Sequence, residues 1–167
     1  MHPLAQPGSF DGPAKLPWPD RQTLLDSARQ LQRAAQAGTT QPLLRGKKLG
    51  LLRANDETTA AQDFCAAAAA LGGHVAVIRS AFTPQSQYNE VQDTARLLGR
   101  LYDAVECQGL PASLVQQLAG VASIPVYDGL ATASHASAEL APLLTGDEPL
   151  ADKRRYVMQA VLLSTII

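Results

Sequence analysis

The stretch with the clearest chemical content is Leu49 to Phe64, reading LGLLRANDETTAAQDF. Leu49 to Leu52 is a short apolar run after Lys47-Lys48, the pattern of a buried parallel strand. Asn55-Asp56 is a turn and N-cap signal, and Thr58 to Leu71 has the Ala-rich composition of a helix. A strand that delivers the chain into a helix N-terminus presents unpaired backbone N–H groups and the positive end of the helix dipole, which together seat an anion. Phosphate-holding sites of this kind add Arg or Lys. Here the side chains in place are Asp56, Glu57, Thr58, Thr59, Ala60 and Ala61. Thr58-Thr59 can bind a small anion through the backbone or simply cap the helix. Elsewhere, His135 stands near a helix start with no carboxylate or Ser partner evident in sequence, which reads as structural. Cys107 reads as a buried, inert thiol, with no positive charge nearby to lower its pKa.

The elements that must position these residues alternate along the chain. Residues 1–18 are Pro- and Gly-rich and are expected to form an extended or disordered tail. A helix begins near Pro19-Asp20, with Leu24, Ala28, Leu31 and Ala35 as its apolar stripe and Gly38 closing it. Strand one lies at about 48–53, a helix over Thr58–Leu71, and strand two over His74–Ile78 (HVAVI). Thr83–Asn89 is a polar loop, followed by a helix from about Glu90 to Leu101 and strand three around Ala104-Val105. Pro111–Val121 is a helix, Ile124–Tyr127 strand four, and Ser134–Leu144 a further helix. Strict alternation of strand and helix implies an α/β fold: a four-stranded parallel sheet between two helical layers.

Bulk numbers narrow the function classes. With 167 residues, 46% apolar and 17% charged, the chain is one domain by length and has the composition of a soluble globular protein. A net charge of −1 without a basic patch argues against nucleic acid as a partner. Cys65 and Cys107 show no CxxC or Cys/His spacing, so neither a metal nor a disulfide scaffold is expected, and no cofactor is implied. Residues 1–19 carry five prolines and no apolar core of a signal peptide. The apolar stretch Tyr156–Ile167 is too short to span a bilayer. A reduced, cytoplasmic protein with no membrane partner is the expectation.

Leu24 to Leu144, about three-quarters of the chain, resembles the carbamoyl-phosphate-binding half of the carbamoyltransferases, the ornithine branch more than the aspartate branch. The most specific match is Asp93-Thr94-Ala95-Arg96-Leu97-Leu98-Gly99-Arg100-Leu101-Tyr102-Asp103, the DTAR-x-LGR-x-YD pattern of ornithine carbamoyltransferases. Supporting matches are Leu44-x-Gly46-Lys47, Leu71-Gly72-Gly73-His74, Ile124-Pro125-Val126 and Asp128-Gly129-Leu130.

What the resemblance implies about the site is mostly loss. The family's phosphate loop reads Ser-Thr-Arg-Thr-Arg; its members fall on Glu57, Thr58, Thr59, Ala60 and Ala61. The family Arg at the end of strand three falls on Gln108, and the His-Pro-x-Gln motif becomes His135-Ala136-Ser137-Ala138. Only Thr58 and His135 survive from the ligand set, and no catalytic residue is assigned. A charge-assisted contact to phosphate contributes roughly 1.5–3 kcal/mol, so losing three arginines removes on the order of 5–9 kcal/mol. Each ~1.4 kcal/mol is a factor of ten in affinity, so binding of carbamoyl phosphate in the family's manner is expected to be gone.

The second implied change is architectural. Family members carry a second α/β domain, then a closing helix that returns to the first domain. Here Thr145-Gly146-Asp147-Glu148-Pro149 leads straight into Ala151–Leu163, which resembles that helix, with Val157, Val161, Leu162 and Ile166 as its buried stripe. The expected organisation is a tail (1–18), a carbamoyl-phosphate-binding-like domain (19–149) and a packing helix (150–167). Asp93, Arg96 and Arg100 share one helix face at i, i+3 and i+7, an arrangement of a solvated or interface face. The resulting expectation is an inactive carbamoyltransferase relative that assembles, with a homotrimer favoured, as a structural or regulatory partner. Its partner would be an active carbamoyltransferase or another enzyme of arginine or pyrimidine metabolism. Two alternatives stand beside it. One is a metabolite-binding module in which Glu57, Thr58, Thr59, Gln108 and His135 form an acidic-to-neutral pocket for a cationic or neutral ligand. The other is residual transferase activity with the second domain supplied by another chain.

Overall fold

A computed structural model describes residues 19–54, 58–82 and 86–167. The Pro/Gly-rich stretch 1–18, the Asn55-Asp56 turn, Glu57 and residues 83–85 lie outside the described residues. Four strands, β1 (Lys48–Arg53), β2 (His74–Arg79), β3 (Ala104–Gln108) and β4 (Val126–Asp128), form one parallel sheet in the order β2-β1-β3-β4. α1 (Arg21–Gln36) precedes β1, and α2 (Thr59–Ala70), α3 (Tyr88–Leu101) and α4 (Ala112–Ala122) connect successive strands. A 3-10 segment, Ala136–Leu143, and α5 (Leu150–Ile166) follow.

The period-2 alternation of each strand divides the core into two layers. Leu49, Leu51, Ala104 and Tyr127 face α1, α2 and α5, where fully buried Phe64, Leu24, Leu140 and Leu162 join them. Leu52, Val105, Cys107 and Val126 face α3 and α4. The sheet is thus covered on both sides, which is why its strands read as near-continuous apolar runs.

The DTAR-x-LGR-x-YD motif is largely an architectural device. A Cβ on Gly99 would stand 2.1 Å from the carbonyl oxygen of Ala122, so α3 and α4 cross at a distance only glycine permits. The Tyr102 ring packs over Gly50, where a Cβ would lie 3.3 Å from ring carbon Cδ2. Asp103 accepts the Lys48 N–H through Oδ2 at 2.8 Å and donates its own N–H to the Lys48 carbonyl at 2.7 Å, fixing the start of β1.

Several elements differ from the sequence expectation. Asp20 is the N-cap of α1, accepting the Thr23 N–H at 2.7 Å, and Pro19 precedes the helix instead of occupying its first turn. Ala35 is exposed, while Leu25 and Gln32 are buried. Thr58 caps α2 by accepting the Ala61 N–H at 3.2 Å. Strand four starts at Val126, after Pro125, which has no N–H for the ladder. The stretch after Ser134 winds as a 3-10 segment with Pro142 inside it, since proline cannot donate the bond an α-helix needs there. In α5 burial runs all round from Tyr156 to Leu162, and Ile166 is only partly covered.

The link between the 3-10 segment and α5 is tied down at both ends. Gln32 donates to the Thr145 carbonyl at 2.8 Å, and Glu148 accepts from Gln36 at 2.6 Å and from the Tyr156 hydroxyl at 2.6 Å. Lys153 reaches the Gly146 carbonyl at 2.8 Å. Six residues, 144–149, therefore carry the chain from one element to the next, bonded to α1 and α5.

Candidate functional site

In an open parallel sheet, ligands bind beyond the carboxyl ends of the strands where connections diverge. Here that point lies between β1, whose chain continues to β2, and its other neighbour β3. Arg53 and Gln108 are in register at these strand ends, and the Ala54 N–H donates to the Gln108 carbonyl at 3.2 Å. Thr58 and Thr59 open α2 just after β1 and are exposed. Gln108 is 8% exposed. The Gly129 N–H donates to the Cys107 carbonyl at 2.8 Å, which brings the turn after β4, and with it His135, to the same end of the sheet. Thr58, Thr59, Gln108 and His135 are therefore gathered on the C-terminal edge.

His135 is not the partnerless imidazole its sequence context implied. Its Nδ1 accepts the Ser137 N–H at 3.1 Å and lies 2.8 Å from Ser137 Oγ, so it caps the 3-10 segment. An accepting Nδ1 leaves the neutral ring's proton on Nε2. Burial holds its pKa below the ordinary 6.5. The ring is a hydrogen-bonded neutral group, suited to donating from Nε2.

The residue the sequence reading passed over is Glu106. It is fully buried on β3, on the same sheet face as Gln108. Its Oε1 accepts the Leu130 N–H at 3.0 Å, and its Oε2 accepts the Ala131 N–H at 3.0 Å and Gln108 Nε2 at 3.4 Å. Burial outweighs these bonds, aided by the nearby charge of Asp128, and raises its pKa to about 7. The signal was a single Glu inside the otherwise apolar run Ala104–Cys107. Asp128, at the end of β4, is also raised by burial. Burial first, then the charges of Glu106 and Asp128, push the Cys107 thiol up, so no reactive thiolate forms there.

Cations are present at this edge, though not from the expected positions. Arg53 and Arg79 stand in register at the ends of β1 and β2. Arg53 Nε is shut off from solvent and has no hydrogen-bond partner among the described residues. Asp93, Arg96 and Arg100 lie elsewhere, exposed on α3, with Asp93 and Arg96 paired at 3.1 Å. Among the described residues no group of three His, Cys, Asp or Glu is placed to hold a metal, and no helix is long and apolar enough to cross a membrane.

The profile of the aspartate/ornithine carbamoyltransferase carbamoyl-P binding domain matches residues 13–148. The chain belongs to that family. It is 40% identical over 122 residues to the ornithine carbamoyltransferase of Actinobacillus pleuropneumoniae serotype 5b, covering 73% of this chain and 36% of that enzyme. It is 38% identical over 135 residues to the catabolic ornithine carbamoyltransferase of Burkholderia mallei, covering 78% and 40%. The solved ornithine carbamoyltransferase from Pyrococcus furiosus superposes with a TM-score of 0.63 at 30% identity, over 73% of this chain and 39% of that one. The chain thus spans less than half the length of these carbamoyltransferases, and the shared part is the four-stranded α/β unit.

Proposed function

We propose that this chain is a carbamoyltransferase-family protein without carbamoyl-transfer activity that acts by assembly. In this reading it is a cytoplasmic structural or regulatory partner, trimeric through its first-domain surfaces. It would serve an active carbamoyltransferase or another enzyme of arginine or pyrimidine metabolism. The observation that carries the first half is the end of β3. Gln108 is neutral and buried there, with the Glu106 carboxylate on the same face. With Thr59 and Ala61 opening α2, three positions that the family fills with arginine supply no charge. Loss of roughly 5–9 kcal/mol of phosphate contacts follows.

The assembly half rests on α3. Gly99, Tyr102 and Asp103 have packing roles, which leaves Asp93, Arg96, Leu97, Arg100 and Leu101 of the motif at the surface. Leu97 and Leu101 are 54% and 52% exposed, one helical turn apart beside charged neighbours. An exposed Asp93–Arg96 pair adds little to the fold, so stability does not account for this face. The six-residue link bonded to α1 and α5 supports residues 19–149 and the helix over 150–167 acting as one unit. Light scattering at micromolar concentration is expected to return a multiple of the 17.7 kDa chain mass; a monomer removes the assembly half. Turnover of carbamoyl phosphate with ornithine or aspartate removes the other.

A second reading, a metabolite-binding module, is favoured by the buried Glu106–Gln108 pair. With Thr58, Thr59 and His135 it would offer hydrogen bonds and negative charge to a cationic or neutral ligand, and Glu57 would add to the charge. A thermal-shift screen separates the two: stabilisation by a metabolite supports the module, and a flat screen supports the scaffold.

A further inference from the structure

A second recess lies between α2 and α5, beside the turn after β4. It has a volume of about 130 Å³ and is bordered by Asp63, Ala131, Asp152, Arg154, Arg155 and Met158. Arg154 Nε has no access to solvent and no hydrogen-bond partner, and Arg154 forms no ion pair among the described residues. Arg154 as a whole is only half-buried and lines the cleft, so a ligand there would meet the rest of its guanidinium, not the sealed Nε. Arg155 is already engaged, bonded to Asp152 at 3.3 Å and stacked over the Tyr156 ring at 5.5 Å.

We propose that this cleft binds a small zwitterion, an α-amino acid, with its carboxylate on Arg154 and its ammonium on Asp63. The charges decide the class of ligand. Once Asp152 and Arg155 neutralise each other, one cation and one anion remain, Arg154 and Asp63. A bare anion such as phosphate would meet Asp63, and a bare amine would meet Arg154. Only a molecule carrying both charges leaves neither opposed. The volume corresponds to about four waters, room for a small amino acid. Met158 and Ala131 supply apolar surface for its side chain. This site shares no residue with the pocket of Thr58, Thr59, Gln108 and His135 and does not depend on how that pocket is used.

The test is an amide NMR titration of the full chain with L-alanine, with acetate and methylammonium as single-charge controls. Saturable shifts at Asp63, Ala131 and Arg154 with L-alanine, about tenfold tighter than with either control, are expected. Arg154→Met, which keeps the apolar stem, should weaken binding by about tenfold or more. Asp63→Asn, at an exposed position that folding does not need, should weaken it as well. Acetate binding as tightly as L-alanine, no saturable shift with any probe, or titrations unchanged in both variants would overturn the proposal.

Discussion

Replacing Glu106 by Gln tests the buried carboxylate most sharply, because its effect must change with pH. Glu106 holds two backbone N–H groups of the turn that leads to His135, one on each oxygen. Glutamine keeps one acceptor and turns an NH2 toward the other N–H, leaving a buried donor unpaired at a cost of about 1–3 kcal/mol. The wild-type side chain carries a cost of its own. Its folded pKa of about 7 lies above the ordinary 4.5, so between those values the folded state binds the extra proton. Stability contributed by Glu106 is therefore full below about pH 4.5 and declines until the pH passes about 7. At roughly 1.4 kcal/mol per pH unit, the decline amounts to about 3 kcal/mol. Urea unfolding of both proteins from pH 5 to pH 8 gives the difference in stability, in which titrating groups that do not interact with Glu106 cancel. Glu106→Gln should be less stable than wild type at pH 5, with the deficit vanishing or reversing by pH 8. Parallel stability curves across that range would refute the assigned burial and bonding of Glu106.

Other expectations follow from single features. Gly99→Ala should destabilise by about 1–3 kcal/mol through collision with the Ala122 carbonyl, whereas Gly120→Ala, in open space, should stabilise by about 0.5–1 kcal/mol; urea midpoints check both. His135→Ala should cost about 1 kcal/mol by uncapping the 3-10 segment, and His135→Asn should recover most of it. Because the folded pKa of His135 lies below 6.5, its protonation opposes folding. The wild type should therefore lose stability as pH falls below about 6.5, more steeply than His135→Ala, in the same unfolding series. Introducing arginine together at Thr59, Ala61 and Gln108 should restore phosphate binding measurable by calorimetry if the backbone at the start of α2 keeps the family's shape.

Apolar runs and helix caps carried the element order and the three-layer arrangement into plain view, because the central strands β1 and β3 are buried on both faces and edge strand β2 keeps the same apolar run. What could not be read was set by tertiary contact. Ala35 has helical spacing with Leu31 yet is exposed, at an open cleft beside α5, and Gln32 is buried because the link at Thr145 and Glu148 comes back to bond it. The role of Gly99 depends on where Ala122 lies, 23 positions further along. The candidate site was readable only as far as it matched a family motif, at Thr58, Gln108 and His135. Glu106, Arg53 and the capping of His135 by Ser137 needed the register of β1 with β3 and the turn after β4.

The central claim is that the carbamoyltransferase unit is kept while its grip on phosphate is lost. Isothermal titration of the purified chain with carbamoyl phosphate tests this directly. No saturable heat into the millimolar range is expected. Saturable binding in the micromolar range, abolished by removing Arg53 or Thr58, would contradict it.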